Sequence, residues 1–119
     1  MSDDAARDAL PAYVRGLLEP RAYPAPPAEV TLVQTHISYV FLAGDVVYKT
    51  KKPVDFGFIE QLSVETRHKY CDAEVRLNRR LAPDVYLGVV PVLQRADGTF
   101  AVEPADGQGE IVEWAVKMR

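Results

Sequence analysis

The chain has 119 residues, a formal net charge of -3 and a pI of about 5.3, and its 48% hydrophobic and 26% charged residues are typical of one small globular domain. Its acidic balance argues against nucleic acid as a partner, because nucleic-acid binders usually carry a basic excess. The single cysteine, Cys71, cannot form an internal disulfide, and no apolar stretch approaches the roughly 20 residues of a membrane span. The polar start also lacks the pattern of a signal peptide. These features predict a cytoplasmic protein that binds neither nucleic acid nor membrane.

The first predicted element is a peripheral helix within residues 1–19. Apolar residues recur at helical spacing from Asp3 to Leu18, and Pro11, which suits a first helical turn, allows a later start. Four prolines then predict an extended linker over residues 20–28. The linker leads into the main domain, residues 29–119.

The main domain is predicted to have an α+β fold, an antiparallel five-stranded sheet with one long helix after the third strand. Val30 to Lys52 contains three strand patterns, which break near His36–Ser38 and at Gly44-Asp45. Ser63 is a suitable N-cap for a helix from Val64 to Leu81.

The remaining strands follow the helix. Val85 to Leu93 and Ile111 to Met118 are rich in strand formers, and the Asp97-Gly98 pair predicts a hairpin turn between them. Phe100 to Val102 is a candidate start of the returning strand.

The long helix is predicted to pack on the sheet through an apolar stripe and to expose its arginines. The stripe consists of Tyr70, Ala73, Leu77 and Leu81, and the arginines of the polar face are Arg67, Arg76, Arg79 and Arg80. Glu74 falls within the stripe, so its carboxylate needs a cation if the stripe faces the sheet.

Lys49 is the nearest candidate for that cation. Strand alternation places it on the same sheet face as Val47, although a lysine is more often directed to solvent. Glu74 can instead lie at the edge of the stripe and pair with Asn78 or Arg67 on its own helix. The residues alone leave both arrangements open.

The turn from Thr35 to Ser38 is a candidate phosphate contact. Its backbone amides, the hydroxyls of Thr35 and Ser38 and the His36 ring can all meet phosphate oxygens, but a simple hairpin turn with a surface histidine fits the residues equally well. His36, His68 and Cys71 lack the paired spacing of zinc ligands, so no metal site is predicted, and Cys71 is expected to be a small buried residue.

Four stretches are similar, as a set, to the start of bacterial aminoglycoside phosphotransferase-like proteins. They are QTHISYVFL at 34–42, VYK at 47–49 with KKPVDFGF at 51–58, EVRLNRRLAP at 74–83, and EWAVKMR at 113–119. The resemblance extends from about Leu17 to Arg119 and implies the amino-terminal lobe of a kinase-like fold.

The resemblance also implies roles for single residues. Lys49 matches the lysine that grips nucleotide phosphates, with Lys51 as its rival, and Glu74 matches the helix glutamate that holds this lysine. Thr35, His36 and Ser38 belong to the phosphate-covering turn. Val47 would line the adenine pocket, and Lys117 and Met118 would lead into the hinge.

The implied cofactors are ATP and magnesium, with the magnesium held mainly by a carboxy-terminal lobe that this sequence does not contain. We therefore expect a nucleotide-binding lobe without catalytic residues, inactive alone, that meets the missing lobe, a protein partner or a second copy through its hinge-side face. Two other hypotheses stay open. One is a non-enzymatic interaction module derived from this fold, and the other is a nucleic-acid-binding domain that uses the arginine-rich helix.

Overall fold

The computed structural model of the chain describes residues 9–55 and 61–119. In this part of the chain a short helix and a 3-10 turn precede three strands, a longer helix and three further strands. In chain order the elements are α1 (Ala12–Gly16), the 3-10 turn (Pro20–Ala22), β1 (Val30–Gln34), β2 (Ser38–Ala43), β3 (Val46–Lys51), α2 (Val64–Asn78), β4 (Tyr86–Gln94), β5 (Phe100–Val102) and β6 (Glu110–Met118).

The strands form one antiparallel sheet in the order β1-β2-β3-β6-β4-β5. The predicted α+β class is confirmed, but the predicted five strands are wrong, because the described residues form six. The additional strand is β5, which pairs only with β4 at the sheet edge. The expected turn at Asp97-Gly98 produces this hairpin, with the Arg95 amide donating to the Thr99 carbonyl.

The two faces of the sheet carry separate cores. On the α1 face, the side chains of Phe41, Tyr48 and Ala115 pack with Val14 and Leu17 of the amino-terminal segment. On the other face α2 packs on β6 and β4, with Cys71, Val75 and Val116 at the centre of the contact. Strand alternation therefore assigns each residue of β3 and β6 to one of two chemically different sides.

The amino-terminal segment is less peripheral than the sequence indicates. Its described helix is limited to Ala12–Gly16, where Pro11 precedes the first turn as expected, and Val14 and Leu17 are completely buried. Tyr23, in the predicted linker, is also buried, and its hydroxyl donates a hydrogen bond to the Leu17 carbonyl. The part of the predicted helix in residues 1–8 lies outside the described residues.

Helix α2 begins as predicted, since the Ser63 hydroxyl accepts a hydrogen bond from the Thr66 amide. It ends at Asn78 rather than at Leu81, and the Arg79 guanidinium then donates to the carbonyls of Tyr86 and Leu87. None of the helices in the described part of the chain is long and apolar enough to span a membrane.

The predicted orientation of α2 is wrong. The residues that face the sheet include Arg67, Cys71 and Val75, whereas Leu77 is exposed and Leu81, just past the helix, is 89% exposed. The sequence-based prediction treats arginine as solvated, and it therefore turns the apolar stripe toward the sheet. Arg67 is instead buried in an ion pair with Glu113, and it shares the sheet-facing side of the helix with Cys71 and Val75.

Candidate functional site

Glu74 lies between two lysines of β3. The Lys49 ammonium is 2.5 Å from Glu74 Oε2, and the Lys51 ammonium donates a 2.6 Å hydrogen bond to Oε1. The expected contact between Lys49 and Glu74 is therefore present, and the rival lysine takes part as well. The alternative within the helix is not observed for Arg67, whose guanidinium binds Glu113.

The two lysines differ in their access to solvent. The Lys51 side chain is 9% exposed and the Lys49 side chain 23% exposed. Both point to the α2 face, since they are two residues apart on the same strand. Lys51 is therefore the more buried of the two cations that contact the carboxylate, and Lys49 is the more exposed one.

The surroundings of Glu74 keep it ionised. Burial alone raises the pKa of this carboxyl, but hydrogen bonds and charge from Lys49 and Lys51 outweigh burial, so the net pKa lies below the ordinary value of 4.5. The cluster contains two ammonium groups and one carboxylate, and its own net charge is thus +1.

We expect Glu74 to make stability depend on pH in the acidic range. A carboxyl whose pKa is lowered by folding stabilises the protein above its unfolded pKa and loses this contribution as pH falls through its folded pKa. Glu74→Gln lacks the contribution at every pH, so the difference in unfolding free energy between wild type and variant should be largest above pH 4.5 and shrink below it. Urea denaturation in steps from neutral pH to about pH 3 measures this difference. A gap that stays constant over this range would contradict the assignment.

The turn from Thr35 to Ser38 lies at the Lys51 end of the cluster, because Ser38 pairs with Lys51 across β2 and β3. The Thr35 hydroxyl accepts hydrogen bonds from the amides of Ile37 and Ser38, at 3.3 and 2.9 Å. These amides are thus already satisfied within the turn. Ser38 is buried, whereas Thr35 and His36 are exposed.

A row of apolar side chains lies beside the lysines on the same face of the sheet. Val47 pairs with Leu42 on one side and with Met118 on the other. Val47 and Met118 are half-buried and Leu42 is exposed, so the row is only partly covered. Val47 and Met118 thus lie side by side near Lys49 on this face of the sheet.

Lys117 is placed elsewhere. It pairs with Tyr48, so its side chain lies on the α1 face, opposite to the side chain of Lys49. Its ammonium is 2.7 Å from Glu103 Oε2, which also accepts a hydrogen bond from the Tyr48 hydroxyl. Only the backbone of Lys117 remains available to the predicted site.

A second ion pair, between Arg67 and Glu113, was not foreseen from the sequence. Arg67 Nε donates to Glu113 Oε1 at 2.8 Å, and the Arg67 and Glu113 residues are 8% and 1% exposed. Burial outweighs the arginine and raises the pKa of Glu113. The available signal was the position of Glu113 between the apolar Val112 and Trp114 in a strand.

The described residues contain no group of three histidine, cysteine or acidic side chains that could hold a metal ion. Cys71 is fully buried as expected, and burial raises the pKa of its thiol to about 12. His68 stacks on the Trp114 ring with a centroid distance of 3.7 Å, and its Nε2 lies 3.5 Å from the Asp72 carboxylate.

A cleft of about 640 Å³ lies away from the lysine cluster, between α1 and the β4–β5 hairpin. Three arginines line it, Arg15, Arg21 and Arg95, together with the acidic Glu19 and Asp97. Arg95 is bound to a further carboxylate, that of Asp106. Because acidic groups offset its arginines, the cleft has no surplus charge for a ligand, and we place the candidate site at the lysine cluster.

The chain matches no protein-family model and no solved structure. It is similar to "Uncharacterized protein Rv2004c" of Mycobacterium tuberculosis strain H37Rv and to "Uncharacterized protein Mb2027c" of Mycobacterium bovis, with 40% identity over 65 residues in each case. The match covers 55% of this chain and 13% of each relative. The chain thus corresponds to a small part of these relatives, whose names state no activity.

Proposed function

We propose that this chain binds ATP as the amino-terminal, nucleotide-binding lobe of a kinase-like small-molecule phosphotransferase of the aminoglycoside phosphotransferase-like family. The observation that carries the proposal is the pair of strand lysines that meets one helix glutamate beside a partly open apolar row. In kinases a strand lysine grips the phosphates, and a glutamate of the following helix holds that lysine.

The charge of the cluster supports an anionic ligand. Lys51 hydrogen-bonds the carboxylate from the interior, and the more exposed Lys49 adds a positive charge that the cluster does not neutralise. A buried ion pair contributes little net stability compared with apolar residues of the same size, so stability alone does not account for three ionised groups here. A phosphate group next to Lys49 would supply the missing negative charge.

The apolar row supports a nucleotide over a simple phosphate. Ligand pockets are mostly apolar with a few placed polar groups, and Leu42, Val47 and Met118 form such a surface next to Lys49. In this arrangement the base would rest on the row and the phosphates would reach the ammonium. Among the described residues, no group of side chains is a candidate magnesium site. In such enzymes magnesium neutralises charge on the transferred phosphate.

An amide NMR titration with magnesium-ATP tests the proposal. We expect shifts near Lys49, Glu74 and Val47, and we expect Lys49→Ala to weaken binding about 10- to 100-fold, the effect of losing a hydrogen bond to a charged group. Lys52→Ala is the matched control, because it removes the same charge from a lysine that instead contacts Gln34 and the Tyr39 ring.

Equal loss of affinity in both lysine variants would indicate general attraction of anions and would contradict the assigned site. A well-dispersed spectrum without shifts would remove the nucleotide proposal. The interaction module would then gain support, because Tyr70 and Leu77 of α2 and Leu81 just past its end are exposed and could contact a protein partner.

A further inference from the structure

Three polar side chains are almost completely buried where α2 meets the sheet, close to the predicted phosphate turn. They belong to Gln61, Arg67 and Glu113, and Gln61 is only 2% exposed. Besides its bond to Glu113, Arg67 donates through Nη1 to the carbonyls of Gln61 and Leu62, at 2.8 and 2.9 Å. The start of α2 is therefore tied both to β6 and to the segment that precedes it.

The Gln61 side chain extends these hydrogen bonds from the start of α2 to the sheet. Its Nε2 donates to the Ile37 carbonyl at 3.1 Å and to the Lys52 carbonyl at 2.9 Å. Ile37 belongs to the turn between β1 and β2, and Lys52 directly follows β3. The Ile37 carbonyl also accepts a hydrogen bond from the Lys52 amide, so one oxygen joins the turn to two segments.

These contacts connect two parts of the proposed nucleotide site. At one end is the turn that would cover the phosphates, and at the other is α2, which carries Glu74. Arg67 and Glu74 are seven residues apart, about two helical turns, so both lie toward the sheet. A shift of α2 that moved Glu74 away from the lysines would also strain the bonds from Arg67 to Gln61 and from Gln61 to the turn.

We infer that Gln61 and Arg67 are positioning residues that couple the turn between β1 and β2 to helix α2, so that the turn and Glu74 take their ligand-binding positions together. The inference rests on the proposed nucleotide function for its purpose, but the mechanical coupling can be tested without a nucleotide. Neither side chain needs to touch the ligand.

The first test compares two ligands that differ in their phosphates. Gln61→Met keeps the approximate volume and removes the donor of both side-chain hydrogen bonds. We expect the Kd for ATP to rise about five- to tenfold, a change on the scale of a typical hydrogen-bond contribution, with the Kd for adenosine unchanged. A general loss of structure would weaken both ligands alike. Val102→Ala is the control for destabilisation, because Val102 is fully buried in the core on the α1 face.

The second test is amide hydrogen exchange on the full chain without nucleotide. Arg67→Lys keeps the positive charge for Glu113 but loses the forked guanidinium that also reaches the Gln61 carbonyl. If the coupling exists, Arg67→Lys accelerates exchange of the Ser38 and Lys52 amides about fivefold or more, although Arg67 contacts neither residue, and Gln61→Met does the same.

The outcomes separate the two proposals. Unchanged exchange at Ser38 and Lys52 in Arg67→Lys would overturn the coupling, even if ATP binds. Equal loss of ATP and adenosine affinity in Gln61→Met would also count against it. If the wild-type chain binds neither ligand, the nucleotide function fails, and the exchange result alone decides whether the turn and the helix are coupled.

Discussion

Replacing Arg67 by methionine should lower the free energy of unfolding by about 3–5 kcal/mol, the usual cost of removing one partner from a buried ion pair. The substitution leaves the Glu113 carboxylate almost fully buried without its cation, and it also removes two bonds to backbone carbonyls. Urea denaturation followed by the fluorescence of the single tryptophan, Trp114, measures the loss.

A loss of this size is a large part of the roughly 5–15 kcal/mol that stabilises a typical domain, so the single variant can fail to fold. The double variant Arg67→Met with Glu113→Leu keeps the prediction testable. It removes both charges, and well-packed apolar residues often replace a buried pair at little cost. We therefore expect the double variant to recover most of the lost stability. A single variant within about 1 kcal/mol of wild type would show that the pair is not buried as described.

The same pair has a characteristic pH dependence. Burial raises the pKa of Glu113 above its unfolded value, so this residue favours the folded state fully below its unfolded pKa and loses that contribution as pH rises through its folded pKa. Removing Arg67 raises the folded pKa further. The penalty of Arg67→Met should therefore be smaller in acid than at neutral pH, in the same direction as the gap expected for Glu74→Gln.

Most of the strands could be predicted because their signals are local. Alternating apolar residues mark β2 and β3, and the turns between strands contain Gly44 and Gly98, which both have positive φ. The sequence indicated the edge strand β5 less clearly, because an alternation pattern over three residues is too short to distinguish a strand from a loop.

The orientation of α2 could not be predicted in the same way. Its buried side depends on the bond between Arg67 and Glu113, which are 46 residues apart in the chain. A periodicity argument treats arginine as solvated and so selects the stripe containing Leu77, which is exposed. Glu74 was nevertheless placed correctly, because it lies at the boundary between that stripe and the side that packs on the sheet.

The candidate site was partly accessible from the sequence. Strand alternation and the order of the strand and the helix made the contact between Lys49 and Glu74 one of two open arrangements, and it is the one observed. Gln61 could not be recognised, because a glutamine before a helix cap has no pattern that indicates burial. Its importance comes from bonds to Ile37 and Lys52, which only the folded chain brings together.

We expect Lys51 to be needed mainly for stability and Lys49 mainly for ligand binding. Lys51→Met removes a buried hydrogen bond to a charged carboxylate and should cost about 2–3 kcal/mol of unfolding free energy. Lys49→Met removes a more exposed charge contact and should cost less than about 1 kcal/mol, because solvent screens such pairs. Urea denaturation of both variants provides the comparison.

Ligand affinity should rank the two variants in the opposite order. With Lys49 lost, Lys51 still holds Glu74, so the fold persists while the ammonium that a phosphate can reach is gone. With Lys51 lost, folded molecules of Lys51→Met still present Lys49 beside Glu74. The Kd of Lys51→Met for magnesium-ATP should therefore change less than the Kd of Lys49→Met. NMR under conditions where most molecules are folded measures both values. If Lys51→Met weakened ATP binding more than Lys49→Met at equal folded fraction, Lys51 would be the phosphate-binding lysine. The more exposed Lys49 would then be the residue that holds the glutamate in place.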